Sequence, residues 1–389
     1  MVDTRSLVAG ALVAAVTVLC AAPAEAQFVV RGAPLAKRIV ADYGYWSKDQ
    51  TPPYAAAQIP FAEITHVIHV GLVVDRKADG SIDVPAGLIE PALMSDARAA
   101  GVKVMILVGG SAATFGTVAA TVTLRAALVA NLAAFVGQYG YDGVDIDWEY
   151  PTTQSDRRAY TGLMRDLRGA LPAPGYLLSA DVPPWGGRAY DFSGVEPLLD
   201  FFNIMMYDVA GPWTNDGQLN SPIFDDPANP EPQGNARQAI DKFTNVYHLA
   251  AEKLNMGTPF YGYEYRNVAG LYKRCKPCNG KTVLSEPYGT YIEQRVDRDG
   301  WIEAYDRAAR VPYLLRRDGK PGFITYDDAA STYERVSYSV WGRGLGGTFM
   351  WSVDQDYDGH SQVLLDAMYD AVVAGSGAEH APLLRAPFR

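Results

Sequence analysis

Short apolar runs alternate along the chain with stretches whose apolar residues recur every three to four positions. The apolar runs span 38–44, 64–74, 102–108, 143–150, 176–182, 201–207, 254–260 and 346–353. Most are continuous rather than alternating in polarity, as strands covered on both faces should be. Helical spacing fills intervals between them, at 86–99, 123–138, 155–171 and 237–251. Eight strand–helix alternations predict an α/β fold, a parallel (β/α)8 TIM barrel.

Most consecutive runs begin 25–45 residues apart, but the interval between the seventh and eighth is about twice that and carries its own turn signals. Residues 264–322 are therefore expected to form a small inserted α+β subdomain walling one side of a cleft. The barrel takes 27–263 and 323–375, and 376–389 is a short tail. A second long connection, 214–235, is dense in Asn, Asp, Pro and Gly and reads as a binding loop above the sheet.

The first 26 residues read as a signal peptide. Arg5 precedes an apolar stretch from Leu7 to Ala22, and Pro23 then leads into Ala24-Glu25-Ala26, a small-x-small cleavage site before Gln27. Sixteen apolar residues are few for a membrane anchor. Cys20 invites a lipoprotein reading, but Val18-Leu19 lacks the small residue expected before it. No other stretch approaches a transmembrane span. An exported protein, extracellular or periplasmic, follows. Export leaves Cys275 and Cys278, whose Cys-Lys-Pro-Cys segment reads as a local disulfide rather than a redox or zinc motif.

Composition narrows the partners. The chain is 48% hydrophobic and 20% charged, enough apolar material for a large core. Its net charge is −10 with no Lys/Arg run, which argues against nucleic acid and anionic membranes and suits a neutral, hydroxyl-rich substrate. The five histidines show no metal spacing, and His66 and His69 lie in an apolar strand-like run. No metal and no cofactor are expected, and a monomer is.

The chemistry concentrates in Tyr141-Asp142-Gly143-Val144-Asp145-Ile146-Asp147-Trp148-Glu149-Tyr150-Pro151. On a strand, Asp145, Asp147 and Glu149 project to one face. Three carboxylates on one face of a buried strand repel each other and lose hydration, which folding alone does not reward. Barrel enzymes place working groups at strand C-termini, and Glu149 comes last, before Pro151 ends the strand. Crowding implies that Asp145 and Asp147 share a proton. A protonated Asp147 turned toward Glu149 would help keep Glu149 protonated as a general acid. Asp142 supports the array from the strand's other side or base, and is counted among the candidate substrate contacts. No second carboxylate is evident in the place of the nucleophile that ordinary retaining glycosidases use.

This run resembles the Asp-x-x-Asp-x-Asp-x-Glu signature of the family 18 glycoside hydrolases, chitinases and their relatives, matching all four acidic positions. The resemblance implies a substrate-assisted mechanism in which the substrate's N-acetyl group is the nucleophile and an oxazolinium forms. Glu149 would protonate the glycosidic oxygen, and Asp147 would hold the acetamide N–H. Met205-Met206-Tyr207-Asp208 resembles the family's Met-x-Tyr-Asp, with Tyr207 on the acetamide carbonyl and Asp208 beside it. Gly211-Pro212-Trp213 and Asn220-Ser221-Pro222-Ile223 resemble the loop that follows. Gly257 to Gly262, with Tyr261, resembles the seventh strand. Gly346 to Trp351 resembles the eighth, its Trp351 flooring the distorted sugar. The likeness runs from about Val40 to Asp358, and the insertion falls where many chitinases carry one.

Three departures stand out. Leu107-Val108-Gly109-Gly110-Ser111 keeps the family's glycines, Gly110 among the expected contacts, but lacks its serine. Tyr263 follows Tyr-Gly where close relatives commonly have Arg. Asp208-Val209-Ala210-Gly211 lacks a common Phe-His. The expected activity is hydrolysis of β-1,4 bonds in chitin or N-acetylglucosamine oligosaccharides. An endo-β-N-acetylglucosaminidase on N-glycans shares the signature, while a chitin-binding lectin or a secreted growth-factor-like protein would more often have lost Glu149. Tyr45, Trp46, Trp185 and Trp213 are candidates to pave further sugar subsites, Trp46 and Trp213 foremost because they follow strand ends.

Overall fold

The computed structural model describes residues 35–275 and 277–375; the expected signal peptide and the 376–389 tail lie outside the described residues. Among the described residues fourteen strands follow in chain order. They are β1 (Arg38–Gly44), β2 (His66–Val74), β3 (Ile82–Asp83), β4 (Lys103–Gly109), β5 (Gly143–Ile146), β6 (Leu177–Val182), β7 (Phe201–Ile204), β8 (Leu254–Pro259), β9 (Tyr261–Tyr265), β10 (Val283–Pro287), β11 (Trp301–Asp306), β12 (Val311–Arg316), β13 (Phe323–Thr325) and β14 (Gly347–Trp351).

Strands β1, β2, β4, β5, β6, β7, β8 and β14 pair in parallel, and β1 pairs with both β14 and β2, which closes the sheet. The molecule is a (β/α)8 barrel. Continuous apolar strands are what this closure demands, since one face meets the barrel interior and the other the surrounding helices. Ile39, Ala41 and Tyr43 point outward into the helical layer, whereas Val40 joins Ile68, Met105, Leu107 and Phe349 in the interior.

Two catalytic-run strands are shorter than the apolar runs suggested. β5 ends at Ile146 and β7 at Ile204; Asp147 and Met205 still donate to Val108 and Val182 of the neighbouring strands, and the residues after them extend beyond the ladder as the barrel's mouth. The helix at Gln154–Ala170 is opened by Thr153 and Asp156, each side chain capping the other's backbone N–H. The helical pattern at 237–251 becomes a six-residue α-helix, Ala236–Asp241, followed by a wider turn at Lys242–Val246. Helix Val122–Tyr139 is long and apolar enough to cross a membrane by length and composition, contrary to the expectation that no stretch beyond the leader would be. It lies against the barrel with Leu128, Leu132 and Val136 buried.

The insertion is an antiparallel sheet in the order β10-β9-β13-β12-β11. Its limits differ from the expected 264–322. Tyr261, Gly262 and Tyr263 at one end and Phe323–Thr325 at the other pair within it rather than with the barrel. The switch follows directly from β8: one residue, Phe260, separates the last barrel strand from the first strand of the second sheet.

Candidate active site

Beyond β5 the backbone stays extended, and Glu149 bridges to Ser111 after β4. The alternation expected of the run therefore holds past the strand's formal end. Asp147 and Glu149 hydrogen-bond through their side chains, and Tyr150 reaches Glu149 as well. Between them, Trp148 turns outward, stacks on Phe115 with centroids 5.3 Å apart, and has its carbonyl held by the Tyr190 hydroxyl at 3.2 Å. That anchor fixes the two carboxyls facing inward.

Burial and the negative charges of Glu149 and Asp145 hold the Asp147 carboxyl well above the usual range, and its bond to Glu149 pushes the same way. Glu149 stands open to the cleft, yet the surrounding protein still raises it, with Asp208 adding a like charge. The bond from Asp147 works oppositely to expectation. It lowers the Glu149 carboxyl, because a protonated Asp147 donates to an ionised Glu149. The opposite directions of the two effects make Asp147 the donor of the bond and Glu149 its acceptor.

Asp145 lies one pleat deeper and is fully buried. Its Oδ1 accepts from the Ser179 hydroxyl, and burial pushes its carboxyl up to about 7. Below it runs a string of amides across neighbouring strands. The Arg38 Nε donates to Asn255 Oδ1 at 2.9 Å, Asn255 to Asn203 at 2.9 Å, and Asn203 to Asp181 at 3.0 Å. Every donor in the string points toward Asp181, which partly offsets the cost of burying that carboxyl.

The opposite wall comes from β7's extension and from β9. Tyr207 is buried against Tyr261 and Phe349, with centroids 6.1 and 5.9 Å away. Asp208 accepts hydrogen bonds from the Tyr261 hydroxyl and, at 2.8 Å, from the Tyr263 hydroxyl. These donors lower its carboxyl, but burial outweighs them and leaves it raised. The Asp208 backbone N–H donates to Asn220 Oδ1 at 2.8 Å, and Asn220 is held in turn by Thr325 of β13. Met205 is buried beside Tyr207, and the half-buried Trp351 packs on the same cluster.

Three exposed tryptophans rim the mouth, at 39% (Trp46), 48% (Trp185) and 58% (Trp213) of full exposure. Trp46 meets Tyr45 edge-on, Trp185 meets Tyr150, and Trp213 meets Tyr263. Two of them rest on glycine. A Cβ on Gly44 would fall 2.4 Å from the Trp46 ring, and one on Gly211 2.7 Å from that of Trp213.

Two expected contacts lie elsewhere. Asp142 sits at the base of β5, at the far end of the barrel, where it pairs with Lys103 at 2.7 Å and accepts from the Val104 N–H. It is a strand-end clamp and cannot reach substrate at the mouth. Gly110 faces Phe115 and Val74, and the glycine beside the carboxyls is Gly109, whose missing Cβ would stand 3.9 Å from Asp147 Oδ2. Conversely, Asp42, Asp181, Ser179 and Tyr150 belong to the site and were not among the expected residues. Asp42 and Asp181 carry the signal that exposed Asp145, a carboxylate inside an otherwise apolar strand. Cys275 and Cys278 form a disulfide in the insertion, and the Cys275 N–H bonds to Asn215 in the Trp213 loop at 2.8 Å.

Two raised carboxyls hydrogen-bonded to each other at a barrel mouth, walled by aromatic faces suited to pyranose rings, define an acid-catalysing barrel enzyme of the glycoside hydrolase class. The family model "Glycosyl hydrolases family 18" matches residues 38–356, and the chain belongs to that family. It is 27% identical to Chitinase 1 of Aphanocladium album over 92% of this chain and 91% of that one. It is 30% identical to Chitinase A1 of Niallia circulans, over 65% of this chain and 40% of that longer protein. Its fold matches that of the Group IV chitinase of Ostrinia furnacalis, solved in complex with allosamidin, with a TM-score of 0.77 at 24% identity, covering 87% of this chain and all of the other.

Proposed function

We propose that this protein is a chitinase that cleaves β-1,4 bonds between N-acetylglucosamine units with retention of configuration, through participation of the substrate's own acetamide. The observation that carries this reading is the hydrogen bond between the Asp147 and Glu149 carboxyls at the barrel mouth. Asp208, the other carboxyl near Glu149, is engaged by two tyrosine hydroxyls, which leaves the nucleophile's part to the substrate.

The acetamide N–H of the sugar beneath the scissile bond donates to Asp147. That bond favours the Asp147 carboxylate and shifts its proton to Glu149. Glu149 gives the proton to the glycosidic oxygen as the C1–O bond breaks and the acetamide oxygen closes on C1. Asp147 then faces the cationic oxazolinium. Water, losing a proton to Glu149, opens the ring from the same face and restores both the acetamide and the acid. Tyr207 orients the acetamide carbonyl, and Trp351 supports the distorted ring. Burial supplies the high carboxyl range that a proton donor needs near neutral pH.

Export is part of the reading, supported by the leader-like first 26 residues and by a disulfide of the kind that persists in oxidising compartments.

The test is product formation from N-acetylglucosamine tetramers and hexamers, with anomers resolved early in the time course. Wild type is expected to release β-anomeric short oligomers, and Glu149→Gln to lose about 10²–10⁴-fold in kcat. Release of glycan from a high-mannose glycoprotein, without cleavage of the oligomers, would replace chitin with N-glycans as substrate. Binding without cleavage of either would leave a lectin.

A further inference from the structure

Asp147 is hydrogen-bonded to Glu149 and not to the carboxyl beneath it. Asp145 Oδ1 has the Ser179 hydroxyl, but its Oδ2 is buried with no hydrogen-bond partner. A second buried carboxyl shares this interior. Asp42 of β1 is wholly inaccessible, and neither of its oxygens has a partner. Strand register sets its height, for Ala41 lies opposite Met350, so Asp42 falls beside Trp351, one layer under the cleft floor. The surrounding groups are acidic or neutral. Asp145 and Asp147 face Asp42 from the β5 run, Asp181 from β6 and Tyr207 from the β7 extension. The interior faces of β2 and β14 bring Ile68, Val70, Phe349 and Trp351. His69 of β2 points outward to Tyr141. On the turn Val353–Asp356, which packs against β1, Asp354 is held by Ser352 and Gln50, and Asp356 by the N–H groups of Leu364 and Leu365. No cation faces Asp42 from these elements.

Two carboxylates left ionised and unpaired in such a place would cost several kcal/mol, whereas one protonated carboxyl donating to one carboxylate satisfies both. We propose that Asp42 is a proton-bearing positioning residue whose neutral carboxyl donates to Asp145 and holds that carboxylate while Asp147 turns to Glu149. Asp42 touches no substrate. It fills, from the strand across the barrel, the place that Asp147 leaves. Without it, Asp145 would draw Asp147 and its proton back down, away from Glu149. This role rests on the hydrolytic reading of the Asp147–Glu149 pair, but the proton on Asp42 does not.

Two variants separate the possibilities. Asn at position 42 retains a neutral donor of nearly the same shape, and Asp42→Asn is expected to keep kcat within about threefold of wild type. Leu has no donor, and Asp42→Leu is expected to lower kcat by tenfold or more while KM changes little, since the general acid's contribution is about 10²–10⁴-fold. Infrared spectra of the resting protein at neutral pH, without substrate, should show a protonated carboxyl stretch that Asp42→Asn diminishes. If Asp42→Asn loses as much activity as Asp42→Leu while melting like wild type, the ionised form is required and the proposal falls. It also falls if Asp42→Leu keeps full kcat, or if the carboxyl stretch is the same in wild type and Asp42→Asn. Should Asp42→Leu fail to fold, Asp42→Asn and the spectra still decide. Because the spectra need no substrate, they read the Asp42 proton whatever glycan the enzyme cleaves.

Discussion

Tyr263 stands where the family resemblance leads one to expect arginine, and its hydroxyl donates to Asp208 at 2.8 Å. A guanidinium would neutralise Asp208 outright, whereas a phenol donates one hydrogen bond and no charge. Asp208 therefore remains a raised carboxyl whose negative form lifts Glu149. Removing the hydroxyl with Tyr263→Phe should raise Asp208 further. Once Asp208 carries a proton at working pH, its pull on Glu149 disappears and the Glu149 carboxyl falls. The basic limb of the kcat profile is then expected to move to lower pH, with kcat at its optimum down about tenfold for a hydrogen bond to a charged group. A pH–rate profile of both proteins checks it, and an unshifted basic limb would mean that Asp208 does not tune Glu149. Residue chemistry of this kind was half legible in the sequence. Asp147 and Glu149 could be picked out because a run of carboxylates on one strand face is conspicuous, and Tyr207 and Asp208 because their segment resembles the family's Met-x-Tyr-Asp. Asp42 carried only the weaker signal of one aspartate within an apolar strand, and closure of the barrel is what sets it opposite Asp145.

At the scale of elements, the strands were readable almost to the residue, since burial on both faces enforces unbroken apolar runs; β1 begins and ends where its run does. The exceptions are informative. Apolar patterning cannot tell a hydrogen-bonded ladder from an extended segment that merely stays buried, so β5 and β7 seemed longer than they are. It also cannot say which sheet a strand joins, and β13 and the first three residues of β9 were assigned to the barrel for that reason. The return from the inserted sheet is secured by the helix Ala329–Val336. Its Arg335 is fully buried, pairs with Asp327 at 2.8 Å, and also donates to the Ser221 carbonyl, while the Ser221 hydroxyl bonds to the Met206 carbonyl. Arg335→Leu would leave Asp327 as an unpaired buried charge, and the expected cost is about 3–5 kcal/mol. Urea titration would measure it. Adding Asp327→Asn should restore much of the loss; if the single variant is as stable as wild type, this bridge does not hold the return.

For the whole molecule, the collection of raised carboxyls predicts the direction in which stability changes with pH. Burial pushes Asp145 up to about 7 and Asp356 up to about 8, and holds Asp42, Asp147 and Asp181 well above the usual range. Each is protonated in the folded protein over a range where the unfolded chain has lost the proton, so each favours folding below its unfolded value and loses that advantage as pH climbs through its folded one. Two buried histidines oppose them at the acidic end, His66 lowered to about 4 and His69 to about 3, because only the unfolded chain protonates them below about 6.5. Between about pH 6.5 and 8 the carboxyls act alone, and the melting temperature should fall as pH rises. Asp356→Asn should flatten that slope by up to one proton, about 1.4 kcal/mol per pH unit. A melting temperature that rises across this window would contradict the burial argument. The inserted sheet carries one more consequence. The chain departs from β9 at Tyr265 and comes back at Phe323, and these two residues sit side by side as register partners. Topologically the excursion is a stitch whose entry and exit share one hole. A hairpin joining Tyr265 directly to Phe323 would satisfy the same register, so the tyrosines of β9 that hold Asp208 stand at the root of the excursion rather than along it.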